Sequence, residues 1–252
     1  MSNPIYLRGQ GKLKIAIRDS SGNITGYTQV GNVSSLKLDP KVTFIEHRED
    51  YTGYRLMDLM IPDTNSLGVM FDLEVANAYN LALALGGTSS TTSASTTFTG
   101  VQINPTITGV DVVFGPAGST VTAITDSTSG SPKTLVAGTD YVANTDGTVT
   151  INNITGYVMP LNVSGTTPAL SAVSILSSPA REISVIFEGL NTANYRKPVV
   201  ISISRLVMNP AKSFDVIGKD IVKFEMDGQA LSDANQIGTG VLQGYGKVQL
   251  VS

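Results

Sequence analysis

Between Leu67 and Gly87 the hydrophobic period of the chain changes, and that change limits the folds open to it. Leu67, Val69, Phe71 and Leu73 recur at every second residue, which makes a strand with one apolar face. From Glu74 onward the apolar positions become Val75, Ala78, Tyr79, Ala82 and Leu85, the spacing of one helical face. The spacing predicts a helix over 74–85, about three to four turns. Asp72 and Glu74 would sit at its positive N-terminal end, and Gly86-Gly87 would stop it. A strand that runs straight into such a helix gives a sheet with a helix covering part of one face.

Strand signals dominate the remainder. Leu13, Ile15 and Ile17 alternate with Lys12, Lys14 and Arg18, and Asp19-Ser20-Ser21-Gly22-Asn23 then turns the chain. Ile183, Val185 and Phe187 alternate again, as do Val199, Ile201 and Ile203, and then Val222, Phe224 and Met226. A last strand is expected from Lys247 to Val251. Tyr141-Val142 and Val149-x-Ile151 flank Asp146-Gly147, the dipeptide of a type I′ hairpin. The expected class is therefore mainly β.

Charge divides the chain into three parts. Residues 1–87 and 179–252 hold 16 basic and 16 acidic residues, whereas 88–178 hold Asp111, Asp126, Asp140, Asp146 and a single base, Lys133. The first join is the polar tract Thr88 to Thr97 after Gly86-Gly87, which reads as a flexible linker; Ser177-Ser178-Pro179 marks the second. This fits a β-rich domain, 88–178, inserted into a discontinuous core domain, 1–87 with 179–252. One domain with a sparsely charged stretch is the other reading.

Several function classes lose ground here. Charged residues are only 15% of the chain and the net charge is −3, so affinity for nucleic acid through phosphate neutralisation is not expected. A Ser/Thr/Gly/Asn surface costs little to desolvate, which suits burial against neighbours, though a β-rich extracellular-type domain has the same coat. The chain has no cysteine and one histidine, His47, so neither a zinc set nor thiolate chemistry is available. Asn144 to Gly147 resembles a calcium-loop turn, but Val142 and Asn153 stand where the first and closing acidic ligands belong. Gly9-Gln10-Gly11 precedes a strand, Gly238-Thr239-Gly240 lacks the lysine of a phosphate loop, and no Gly-x-Ser-x-Gly elbow occurs. No cofactor, metal or catalytic residue is expected. With no apolar leader and no long apolar run, the expectation is a protein made in a cytoplasm and not exported as a precursor.

Residues 48–66 form the candidate functional segment. Glu49, Asp50 and Arg55 alternate irregularly with Tyr51, Tyr54, Leu56, Met57, Leu59, Met60 and Ile61, and Gly53 and Pro62 interrupt the pattern. So many apolar residues are not expected in a solvated loop between a strand ending near His47 and one starting at Leu67. The segment is read as a loop that is mobile in the monomer and becomes buried against a neighbouring subunit.

The run Asn80-Leu81-Ala82-Leu83-Ala84-Leu85-Gly86-Gly87, after Gly68 to Leu73, resembles the major tail tube proteins of tailed bacteriophages. Gly31 to Leu38, Glu46 to Asp50 and Thr52-Gly53 fit the same pattern, as do Arg205-Leu206, Val216 to Asp220 and Phe224 to Leu231. The resemblance covers 1–87 and 179–252. It implies two packed antiparallel sheets with one flanking helix, and six copies in a ring whose inner strands join into a barrel. Rings would stack, through a long loop at 48–66, into a tube that conducts DNA without binding it. The implied place is the virion tail, with other tail proteins at the tube ends and no membrane. Residues 88–178 lie outside the shared core and would decorate the outer wall, leaving little room for a contractile sheath. A fimbrial or adhesin subunit and a capsid decoration protein are the alternatives.

Overall fold

The computed structural model describes residues 6–19, 21–24, 26–178, 181–233 and 244–251. The first five residues, Ser20, Pro179 and the Gly238-Thr239-Gly240 stretch lie outside them. In chain order the elements are β1 (Gly9–Ile17), β2 (Thr28–Gln29), β3 (Val33–Arg48), β4 (Met57–Leu73), α1 (Ala78–Ala84) and β5 (Ser89–Thr92). Then come β6 (Thr96–Ile103), β7 (Val110–Val113), β8 (Thr120–Thr125), β9 (Tyr141–Ala143), β10 (Thr148–Ile151), β11 (Leu161–Thr167) and β12 (Leu170–Val173). The last four are β13 (Arg181–Asn191), β14 (Lys197–Met208), β15 (Phe224–Ala230) and β16 (Gly246–Leu250). The described sheets are antiparallel and the protein is mainly β.

Two compact units result: Met1–Ser89 with Val173–Ser252, and Ser90–Ala172. In the first, eight strands form one sheet in the order β2-β1-β13-β14-β15-β4-β3, and β16 also bonds β14. Where two packed sheets were implied, the strands connect into one. β14 makes this possible by sharing an edge between β16, over Val199–Ile203, and β15, over Leu206–Met208. Inward residues from both ends of the sheet, Leu13 and Ile15 on β1 and Phe71 and Leu73 on β4, meet Ile183, Leu206 and Phe224 in one core. Phe71 is fully buried there, and truncation to alanine would cost about 3–5 kcal/mol.

The helix is shorter than its sequence period suggests. Asn77 caps it, its side-chain oxygen accepting from the Asn80 amide at 2.8 Å, and Ala78–Ala84 is all that follows. Residues 74–77 are held out of the helix because the Glu74 amide bonds the Asn32 carbonyl and the Asn80 side chain bonds the carbonyls of Val30 and Val75. No acid stands in the first turn, so the expected dipole pairing is absent: Asp72 lies in β4 and Glu74 pairs with Lys223 at 3.2 Å. The glycine stop is as expected. Gly86 takes φ +57°, its amide bonds the Leu83 carbonyl and that of Gly87 bonds Ala82, a Schellman closure.

In the second unit, β7-β10-β9 and β6-β11-β8 are three-stranded sheets, and β12 pairs with β5. The two sheets share a core of Ile103, Ile124, Val149, Ile151, Leu161 and Val163. The polar tract at 88–97 is not a flexible linker. β5 and the start of β6 lie in it, because β-branched threonines favour strands and the hydroxyls of Thr91 and Ser171 meet at 3.2 Å. The β9–β10 turn also differs from the two-residue form, since four residues, 144–147, connect the strands and Asn144 bonds Thr148 across them. Only Gly147 has positive φ, which a type I′ turn would require at Asp146 as well.

Buried carboxylates fix the loops of this unit. Asp126 accepts from the amides of Thr128, Lys133 and Val158 and from the Thr128 hydroxyl. Burial alone would raise its pKa, but these donors outweigh that and hold the carboxyl well below the usual range. Asp140 is lowered by the Val136 amide, the Tyr157 hydroxyl and the Asn153 side chain.

Candidate functional site

β3 and β4 run on past the rest of the sheet. β15 pairs with β4 only over Gly68–Leu73, and the outer edge of β3 has no strand partner among the described residues. From Pro40 to Asn65 the two strands and their turn therefore stand as a two-stranded ribbon. Every residue in it is exposed except Glu49.

The strand register shows what the ribbon presents. Phe44 stands opposite Pro62, Ile45 opposite Ile61, Glu46 opposite Met60, His47 opposite Leu59, and Arg48 opposite Met57. Residues paired across strands share a face, and neighbours alternate. One face thus carries Val42, Phe44, Met60 and Pro62, and the other Ile45, Leu59 and Ile61. Hydroxyl contact between Thr43 and Thr64 at 2.6 Å and the His47 Nδ1–Asp58 contact at 2.6 Å tie the strands together. Such a ribbon is marginal alone in water, and apolar side chains on both faces leave it without a solvent side.

The turn has a different construction. Glu49 is only 4% exposed. Its carboxylate accepts from the amides of Tyr51 and Thr52, both at 2.8 Å, from the Thr52 hydroxyl, and from the Leu56 amide at 3.3 Å. The Thr52 hydroxyl and amide, with the amides of Leu56 and Tyr51, lower its pKa against the opposing effect of burial. Arg55, at φ +52°, lies 3.1 Å from Asp50. With the carboxylate folded in, Tyr51 and Tyr54 are 85% and 81% exposed.

The strand pairing corrects the expectation of one loop over 48–66. Met57–Ser66 belong to β4 and pair with β3; only 49–56 turn. Gly53 lies within the turn at φ +80°. Pro62 does not break the strand because β4 carries an extra residue beside it, a bulge, on a stretch with one free edge. Of the residues singled out from sequence, Glu49, Asp50, Tyr51, Tyr54, Arg55 and Leu56 form the turn, and Met57, Leu59, Met60 and Ile61 lie on β4. Val42, Phe44 and Ile45 complete the surface. Val42 and Phe44 read as part of a strand ending near His47, and only the pairing shows that no core reaches it.

Elsewhere the first unit has a cleft of about 690 Å³ lined by Arg18, Arg181, Glu182 and Arg205. Each arginine there is engaged: Arg205 grips Glu182 at 2.5 and 2.8 Å, Arg181 donates to the Gly87 carbonyl, and Arg18 pairs with Asp233. The Arg205 guanidinium lowers the pKa of Glu182. Among the described residues, no three of His, Asp and Glu converge as a metal site, and no helix is long and apolar enough to cross a membrane.

The geometry defines a mainly β chain of antiparallel sheets that carries an exposed apolar ribbon. The chain belongs to the family described as protein of unknown function UCP028589, whose profile matches residues 6–249. No curated protein matches it.

Proposed function

We propose that this protein is the structural subunit of a phage tail tube, working by assembly with copies of itself and not by catalysis. Copies would close into rings, of six by the resemblance to tail tube proteins, and rings would stack into a hollow tube through which DNA passes into the host. The observation that carries this reading is the ribbon from Pro40 to Asn65, apolar on both faces and, among the described residues, paired with no strand beyond its own two. A surface of that kind needs a partner surface on each side, and a stack of identical subunits supplies both. The free edge of β3 supports the same conclusion, since ring closure can pair edges that a lone subunit leaves open.

The charge balance fits passage of DNA. A net charge of −3 with few charged residues gives phosphates little to hold. Residues 88–178 would decorate the outer wall of a long, non-contractile tail. Electron microscopy of the purified protein, with light scattering on the same sample, tests the reading. Hollow tubes or stacked rings are expected. Thin flexible fibres would favour a fimbrial or adhesin subunit, and particles that remain monomeric until capsids are added would favour a decoration protein.

A further inference from the structure

A second exposed apolar patch lies in the same unit, on the segment that joins β14 to β15. Val216, Ile217 and Ile221 are exposed there, and Ile217 is 97% so. The segment is pinned at both ends. The Phe214 ring lies against Phe224 with centroids 5.3 Å apart, and Lys223 pairs with Glu74 at 3.2 Å. Phe224 stands opposite Leu73 at the far end of β4.

That position fixes a polarity. β4 begins at Met57 beside the ribbon turn and ends at Leu73, the last of its 17 residues. At about 3.3 Å per residue, the turn and the 214–221 segment stand at opposite ends of a strand roughly 50 Å long. Two unlike apolar patches at opposite ends cannot cover each other within one copy. Ribbon against ribbon would instead make a closed two-fold pair and leave the other patch bare. Turn against segment is a head-to-tail contact that uses both patches on every copy and can repeat from layer to layer as a stack.

Size and charge favour the second arrangement. Ten large apolar side chains on the ribbon leave on the order of 1,000 Å² uncovered, more than a monomer usually exposes and comparable to one side of a standard interface. Residues 41–63 hold three bases and five acids, whereas 212–223 hold three bases and two acids, so the two surfaces carry opposite net charge. We infer that the ribbon turn around Tyr54 docks on the Val216–Ile221 segment of the next copy, a head-to-tail contact between subunits of successive layers. This inference rests on the self-assembly reading above and names the surface that receives the ribbon.

The absence of cysteine makes a direct test possible. Tyr54→Cys and Ile217→Cys chains are prepared separately; both side chains are exposed, so the core is untouched. The two are mixed, assembled and oxidised with copper phenanthroline, and linked peptides are quantified by mass spectrometry. Mixed links, from the thiol introduced in the turn to the thiol introduced in the segment, are expected to exceed the like pairs by about tenfold or more, and a chain carrying both substitutions should give a covalent ladder. Dominant turn-to-turn links, or equal yields of all three pairings, in a sample that light scattering shows to be assembled would overturn the head-to-tail contact and leave the assembly reading intact. A sample that stays monomeric by light scattering would overturn both.

Discussion

The Arg18 guanidinium lies 2.5 Å from the Asp233 carboxylate, with side chains only 7% and 6% exposed. Arg18 follows β1 and Asp233 follows β15, so one ion pair ties the start of the first unit to its late part. The same guanidinium donates to the carbonyls of Gly22 and Ser204 and to the Ser184 hydroxyl. Its donors are therefore shared between two buried side chains, Asp233 and Ser184, and the carbonyls of two half-buried residues.

Replacing Arg18 with leucine withdraws a directly bonded counter-charge from a buried carboxylate and donors from two carbonyls. The expected cost is about 3–5 kcal/mol. Scanning calorimetry should show the melting transition of the first unit fall by roughly 10 °C. A fall of a degree or less would show that the pair is solvated.

The second unit should respond to acid through Asp126. A carboxyl whose pKa is lower in the folded state stabilises the fold fully above its unfolded value, near about 4, and that support is lost as pH falls toward the folded value. The unit's melting temperature is expected to hold from neutral pH to about 4 and to decline below it. Both Asp126 oxygens face amide donors, so Asp126→Asn must turn an NH₂ toward one of them. That variant should melt roughly 5 °C lower at neutral pH and show a shallower acid limb. An unchanged acid profile would assign the dependence to Asp140 instead.

Replacing Leu56, Leu59 and Ile61 with serine separates folding from assembly. All three are exposed in the single chain, so the melting temperature should change by no more than about 2 °C while tubes and light-scattering growth disappear. Unfolding of the triple variant would place the ribbon in the subunit's own core. Normal polymerisation would place the contact elsewhere.

The second unit should be removable. The Thr88 amide donates to the Ser174 hydroxyl at 2.8 Å, and the Ser174 amide to the Thr88 carbonyl at 3.0 Å, so the chain leaves and re-enters the first unit at one place. Deleting 90–172 and joining Ser89 to Val173 through Asn-Gly gives a hairpin in their stead. The shortened chain is expected to fold and to build tubes. A folded product that cannot assemble would make the second unit part of the assembly surface.

Local periodicity was readable where one core decides it. Leu67 to Leu73 and Leu13 to Ile17 alternate because one face of each meets that core, and the glycine stop at Gly86 follows from backbone freedom alone. The β4 half of the ribbon, Met57 to Ser66, was not readable as strand, since alternation signals one wet and one dry face, and Leu59, Met60 and Ile61 are consecutive apolar residues that fall on both. Glu49 is a similar case. Its sequence neighbours suggest a solvated acid, and only the turn shows it folded inward against four donors. The threonine tract at 88–92 was hidden by composition, which describes flexible linkers and hydroxyl-rich strands in the same letters.

The opposed ends of β4 carry a consequence for how growth stops. A stack built with turns leading has a terminus that displays bare tyrosines and another that displays bare Val216 and Ile217. In the proposed stack no single capping protein would fit both. One terminator would have to offer an imitation of the 214–221 segment and the other an imitation of the ribbon, so the direction of a single strand would assign initiation and termination to chemically different partners.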